Sequence, residues 1–207
     1  RRSRRYNSYK GKVGRIAPNR IRRRFRTSIP HQKITTDTTE FKYYEIDEKG
    51  RMVIKKLYLD PFLDMFNGEI ISYGISKTPS AVSVLSAQRK AIEITADCPY
   101  RRTFHSDRGW AYQMPAYSHE LKENKIFQSM SRKGNCYDNS VMESFFASMK
   151  REELYRTKYR SEQELRAAIA EYIKFYNETR PHAKNGYKTP FKKEQEYYVN
   201  SKQNEKK

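Results

Sequence analysis

The sequence predicts a mixed α/β fold, a sheet begun by three antiparallel strands and extended by short strands that alternate with helices. Three observations carry this. Residues 33–76 hold three strand-like runs joined by short turns. From Pro79 the apolar spacing changes to three-and-four, the period of a helix. Beyond that, short β-type runs alternate with helical ones, the order that packs helices against a mixed sheet.

In order along the chain, "KITTDTTEF" (33–41) is β-branched, follows Pro30 and reads as one strand. "RMVIKKLYLDPF" follows the turn "DEKG", and "GEIISYGIS" follows "FNG", so the three form an antiparallel meander. Pro79 opens a helix whose Ala81, Val84, Leu85, Gln88, Ala91 and Ile92 share one face. "YRRTFHS" is a short strand leading to Asp107 and the turn "DRGW". A helix over 115–123 precedes a short strand, "KIFQSM", and the loop "SRKGNCYDN" leads into a helix over 135–150. The last helix, "SEQELRAAIAEYIKFYNETR", starts at Ser161 with Glu164 completing a capping box.

Composition bounds the function. With 36% hydrophobic and 14% aromatic residues, the 207-residue chain can bury one sizeable core, which excludes a wholly disordered protein. Its net charge of +19 favours a polyanionic partner, nucleic acid first. Residues 1–30 contribute +12 of that charge through twelve Lys or Arg and no acid. The division expected is a basic arm over 1–30, a core over 31–198 and a disordered basic tail over 199–207. Either the arm is a solvated tail, or its Tyr6, Tyr9, Ile21 and Phe25 mark a segment docked along a phosphate backbone, with Arg22, Arg23 and Arg24 as contacts. No apolar run reaches membrane-spanning length and no signal peptide is visible, so an intracellular, cytoplasmic protein is expected. Cys98 and Cys136 lack a CxxC partner, and the four His form no spaced zinc pair.

The acids hold the chemistry. On a helix over 135–150, Val141, Met142, Phe145, Phe146 and Met149 share one apolar face, with Asn139, Glu143 and Lys150 on its flank. Ser140 and Glu143 also make S-x-x-E, a capping box that would explain the acid without any catalysis. Asp107 in Ser-Asp-Arg-Gly fits a plain turn former. Asp37 is harder to dismiss, because Asp is depleted inside strands. Asp60 and Asp64 lie at a strand end, and periodicity does not say which acids meet. Should Asp37, Asp107 and Glu143 converge, their mutual repulsion demands a cation, and an all-carboxylate set selects magnesium or manganese.

"TTDTTEF", "LDMFNGEIISY", "FHSDRGWAYQ", "QSMSRKGNCYDNSVMESFFASMK" and "YIKFYNETRPH" together resemble the catalytic core of bacterial insertion-sequence transposases with a retroviral-integrase-like DDE site, of the insertion-sequence three family. The resemblance covers nearly the whole chain. It implies a ribonuclease H-like mixed sheet, three antiparallel strands followed by parallel ones, with flanking helices. It implies Asp37, Asp107 and Glu143 as catalytic and metal-binding residues, with 35 positions between the last two. Two magnesium ions, replaceable by manganese, would serve cleavage at element ends and strand transfer by the freed 3′-hydroxyl. Lys150 matches the family's DNA-contacting basic residue; Arg132, Lys133 and Gly134 in the loop suit phosphate contact. DNA at element ends and target, a homo-oligomer and a nucleoid location follow as expected partners and place. The alternatives are a non-catalytic nucleic-acid-binding derivative of a transposase and a structural RNA-binding protein. The family usually carries Trp and an aliphatic residue where this chain has Ile34 and Thr38, and its upstream helix-turn-helix regions are missing apart from a basic remnant.

Overall fold

The run 33–41 is two strands rather than one, β1 (Lys33–Thr36) and β2 (Thr39–Ile46), because Asp37 and Thr38 step out of the ladder. Asp37 accepts a hydrogen bond from the Thr38 N–H, which gives that donor a local partner in place of a cross-strand one. Opposite the break, β3 (Met52–Asp64) carries Asp60 and Pro61, and proline has no N–H to offer. β3 spans the gap. It pairs with β2 from Ile46↔Met52 to Thr39↔Leu59 and with β1 from Thr36↔Phe62 to Ile34↔Asp64, antiparallel throughout.

The computed structural model describes residues 14–204, so Tyr6 and Tyr9 of the arm lie outside the described residues. β4 (Ile70–Ser76) pairs with the other edge of β3, and β5 (Thr103–Ser106) and β6 (Phe127–Met130) add in parallel beyond β1. The sheet therefore reads β4, β3, β1 with β2, β5, β6, the mixed order expected. Adjacent residues of a strand face opposite ways, and the core divides accordingly. Phe62 packs with Ile34 and Phe104 under α1 (Ala81–Ile94) and α2 (Pro115–Glu123). Leu63 packs on the other face with Phe41 and Leu59 under α3 (Ser140–Met149) and α4 (Glu162–Glu178).

Two further expectations need correction, and one open alternative is decided. The helix expected over 135–150 enters as a 3-10 turn, Cys136–Asn139, becomes α-helical at Ser140 and runs on into a π-helical turn, Lys150–Leu154. The helix closed near Arg180 is not the last: α5 (Pro190–Asn204) follows, so residues 199–204 of the supposed disordered tail are helical. Composition hid it, since its polar face is Lys-rich; aromatic docking holds it, with Tyr197 5.5 Å from Phe66 and the Tyr198 hydroxyl bonded to Asp97. Of the two readings of the arm, residues 14–30 are docked, here against the protein's own core. Ile21 is buried, the Ala17 N–H meets the Met130 sulfur, and the Arg20 guanidinium lies 4.1 Å over Phe127.

The apolar face of α3 is Met142, Phe145, Phe146 and Met149, all buried, with Phe145 edge-on to Tyr176 of α4 at 4.9 Å. Phe145→Ala should cost about 3–5 kcal/mol through lost burial and a cavity, read as a lower urea midpoint at unchanged slope. A shift below about 1 kcal/mol would show that α3 is not anchored by this face.

Candidate active site

Parallel pairing of β1 with β5 places Thr35 opposite His105. Asp37 and Asp107 each lie two residues further on, so both leave the sheet at the carboxyl ends of neighbouring strands, which run about 4.8 Å apart. Asp37 Oδ1 accepts from the Thr38 N–H at 2.8 Å, and Asp107 Oδ1 accepts from the Gly109 N–H at 2.7 Å. The turn-forming role of Asp107 is thus real and compatible with a second one. Burial, then the Asp107 charge beside it, raises the Asp37 carboxyl well above the ordinary carboxylate range; burial also raises that of Asp107. The fold holds two acids where their ionised forms are costly.

α3 brings the third acid. Asn139, the residue before the helix, donates from Nδ2 to Asp37 Oδ2 at 2.8 Å and accepts at Oδ1 from the Thr35 hydroxyl at 3.1 Å. This amide ties the start of α3 to the end of β1. Glu143 lies one turn on, exposed, and its charge also contributes to the raised Asp37 value. The capping-box explanation is not realised: Ser140 is already inside the helix, and no side chain caps its start. Among the described residues, no three His, Cys, Asp or Glu side chains stand close enough to form a ready cation site. What the geometry brings together is the Asp37–Asp107 pair, with Glu143 at its flank. As oxygen donors sharing excess negative charge, they fit a hard divalent cation in chemistry.

Beside the pair opens a pocket of about 460 Å³ lined by Asp37, Asp107, Asp60, Tyr58, Trp110 and Tyr112. Asp60, noted in the sequence only as an acid at a strand end, has a buried carboxylate that accepts from the Thr38 and Ser83 hydroxyls, which braces the turn after Asp37. Tyr112 belongs to the core, its ring 5.4 Å from Tyr117.

The expected DNA-contacting cations divide. Arg22 and Arg24 are exposed, and among the described residues their guanidinium groups make no hydrogen bond. Arg23 and Arg132 instead hold the buried Asp138, Arg132 through two guanidinium contacts at 2.9 Å and its own N–H at 3.0 Å. Lys133 is exposed in a turn closed by Gly134 at φ 68°, and Lys150 Nζ lies 5.8 Å over the Phe41 ring. At the far end of α4, Asn177 clamps both the N–H and carbonyl of Ile70, while Arg180 pairs with Glu152. Those two serve packing.

His105 is wholly buried. Its Nε2 faces the Asp138 carbonyl at 2.9 Å, which fixes the proton on that nitrogen, and Nδ1 then accepts from the Ser129 hydroxyl at 2.8 Å. Burial lowers its pKa, so the folded state favours the neutral ring. The neutral ring's contribution is complete above the unfolded value of about 6.5 and shrinks as pH falls below it, where the unfolded chain takes up the proton. The stability advantage of wild type over His105→Gln, measured by urea unfolding, should therefore narrow on acidification through that window. An advantage that stays constant would show that the ring accepts a proton in place.

Comparison with known proteins gives the family and the fold. Two family models, each described as "Integrase core domain", match residues 27–136 and 124–190. An "uncharacterized transposase-like protein" of Haemophilus influenzae is 43% identical over 175 residues, covering 84% of this chain and 76% of that protein. The "Putative transposase InsK for insertion sequence element IS150" of Escherichia coli is 41% identical over 94% of this chain and 65% of its own length. The chain thus spans just under two thirds of that relative. The HTLV-2 integrase catalytic core domain, solved in complex with magnesium, superposes with a TM-score of 0.58 at 19% identity, over 79% of this chain and 96% of that one. That likeness shows the fold, the ribonuclease H-like sheet of retroviral integrase cores. The chain belongs to the integrase core domain family, among the transposases of bacterial insertion sequences.

Proposed function

We propose that the chain is the catalytic portion of a DNA transposase that cuts at element ends and joins the freed 3′-hydroxyl to target DNA. The observation that supports this most is the pair of half-buried acids at the carboxyl ends of β1 and β5, with Glu143 at its flank. Asp37, Asp107 and Glu143 would hold two magnesium ions, with manganese as a substitute. When bound, such ions supply positive charge at the reacting phosphate and a nucleophile ionised near neutral pH.

The chain's own groups do the rest. Asn139 fixes one Asp37 oxygen and the Thr38 N–H the other, so the carboxylate cannot turn away. The Gly109 N–H does the same for Asp107. Phosphoryl transfer asks little covalent chemistry of the protein, so this fixed placement is its main contribution. Lys150, Lys133, Arg22 and Arg24 would bind DNA phosphates, the unengaged Arg22 and Arg24 contributing most, while Arg23 and Arg132 are engaged with Asp138. Assembly of several copies on DNA and a nucleoid location fit this reading. No helix among the described residues is long and apolar enough to cross a membrane.

Two experiments test the proposal. Wild type should nick an element end and transfer the strand with Mg²⁺ or Mn²⁺ but not after chelation, and Asp107→Ala should lose at least about a hundredfold, some 3 kcal/mol of transition-state stabilisation. Equal DNA binding by both proteins, with no cutting under either metal, would leave a non-catalytic nucleic-acid-binding protein. The double substitution Arg22→Gln, Arg24→Gln should weaken binding to all sequences alike and reduce the slope of log affinity against log salt by about 2. An unchanged slope would place the arm away from the phosphates.

A further inference from the structure

Two residues of the arm, Asn19 and Arg23, converge on one acid. The Asp138 side chain is 0% exposed, yet it accepts from Asn19 Nδ2 at 2.9 Å and Arg23 Nε at 3.1 Å, besides three donors of Arg132. Its carbonyl accepts from His105, whose other nitrogen is held by Ser129. The Ser129 oxygen in turn accepts from the arm's own backbone, Arg20 N–H at 2.9 Å and Ile21 N–H at 3.4 Å. Arg22 and Arg23 reach this place through left-handed backbone, φ 48° and 62°, a conformation that side chains disfavour. It is held by the Arg22 N–H bonding to Asn19 Oδ1 at 2.8 Å. Strain kept in place by surrounding contacts marks a segment with a task.

The next residue is Asn139, which grips Asp37, and Glu143 follows one turn later. We propose that Asp138 is a positioning residue, through which residues 19–23 of the arm hold the loop over 131–139 so that Asn139 and Glu143 stand in place against Asp37. The inference rests on the reading of Asp37, Asp107 and Glu143 as the catalytic acids. The arm then has two uses: Arg22 and Arg24 face the solvent, while Asn19 and Arg23 complete the cage around Asp138. A displacement of about 1 Å at such a site can cost a hundredfold in rate, so loosening the cage acts on turnover more than on binding.

Asn19→Ala tests this in the 207-residue chain, because Asn19 is uncharged and outside the acid cluster; Arg23→Lys, which keeps the charge and loses the guanidinium fork, is the second variant. With saturating DNA and Mg²⁺, Asn19→Ala should lower the single-turnover cleavage rate by about tenfold or more, with affinity changed by less than about twofold. Amide exchange should accelerate within 131–143 and not across the sheet. Adding Asn19→Ala to Asp138→Asn should cost little beyond Asp138→Asn alone, since both act through one cage. An unaltered rate with unaltered exchange in 131–143 overturns the proposal, as does independent multiplication of the two effects. Exchange that rises over the whole chain in both Asn19→Ala and Arg23→Lys also overturns it, leaving the arm a general stabiliser. If wild type itself cuts nothing, the transposase reading falls, while local acceleration in 131–143 still decides whether the arm positions the loop.

Discussion

Two carboxylates that repel each other are forced together by backbone pairing, and the rest of the site is arranged around that fact. β1 and β5 pair in parallel with Thr35 opposite His105, so Asp37 and Asp107 emerge side by side. Neither can relax. Each has an oxygen fixed by a backbone N–H of its own turn, and Asn139 fixes the second oxygen of Asp37. Burial raises both carboxyl groups, and for Asp37 the Asp107 charge adds to it, a cost the fold bears with no ion pair to either acid among the described residues. Under the proposed function such a pair would receive a cation, and holding it ready costs stability.

The remaining elements keep that geometry rigid. Phe62 and Leu63 send opposite faces of the central strand into two cores, so the sheet is gripped by α1 and α2 on one side and α3 and α4 on the other. α3 is anchored by its aromatic face, which leaves its flank, with Asn139 and Glu143, free to meet β1. His105 links the strand that bears Asp107 to the loop that bears Asn139 by a bond to the Asp138 carbonyl. α5 works at the far end of the sheet, where Asn67 in the turn after β3 bonds to Pro190 and Glu194.

Much of this was legible in the sequence, and the exceptions have physical causes. Strands and helices between 33 and 178 follow from periodicity and caps, and the Ser161 cap is realised by its bond from the Glu164 N–H. Asp37 stood out because aspartate is unwelcome in a strand; the structure resolves the conflict by ending the strand there. The role of Asn139 was only half visible: spacing put it on the Glu143 flank, but a partner 102 residues away leaves no local trace. The partners of Asp138 and Asp60 were hidden for the same reason, since ion pairs and hydroxyl contacts across the fold carry no period. The arm was legible only as two alternatives, solvated or docked on phosphate. Ile21, Asn19 and Arg23 are instead bound to the core, and only their long-range partners reveal it.

The central claim is that Asp37 and Asp107 are held closer than their charges favour until a divalent cation joins them. Thermal unfolding of wild type and Asp107→Asn, in mildly alkaline buffer with and without Mn²⁺, tests it most directly, because the asparagine keeps the bond from Gly109 and removes only the charge. Without metal the variant should melt higher than wild type; with rising Mn²⁺ wild type should gain stability saturably and the variant should not. A variant that melts lower without metal, or that gains as much from Mn²⁺ as wild type, would contradict the account.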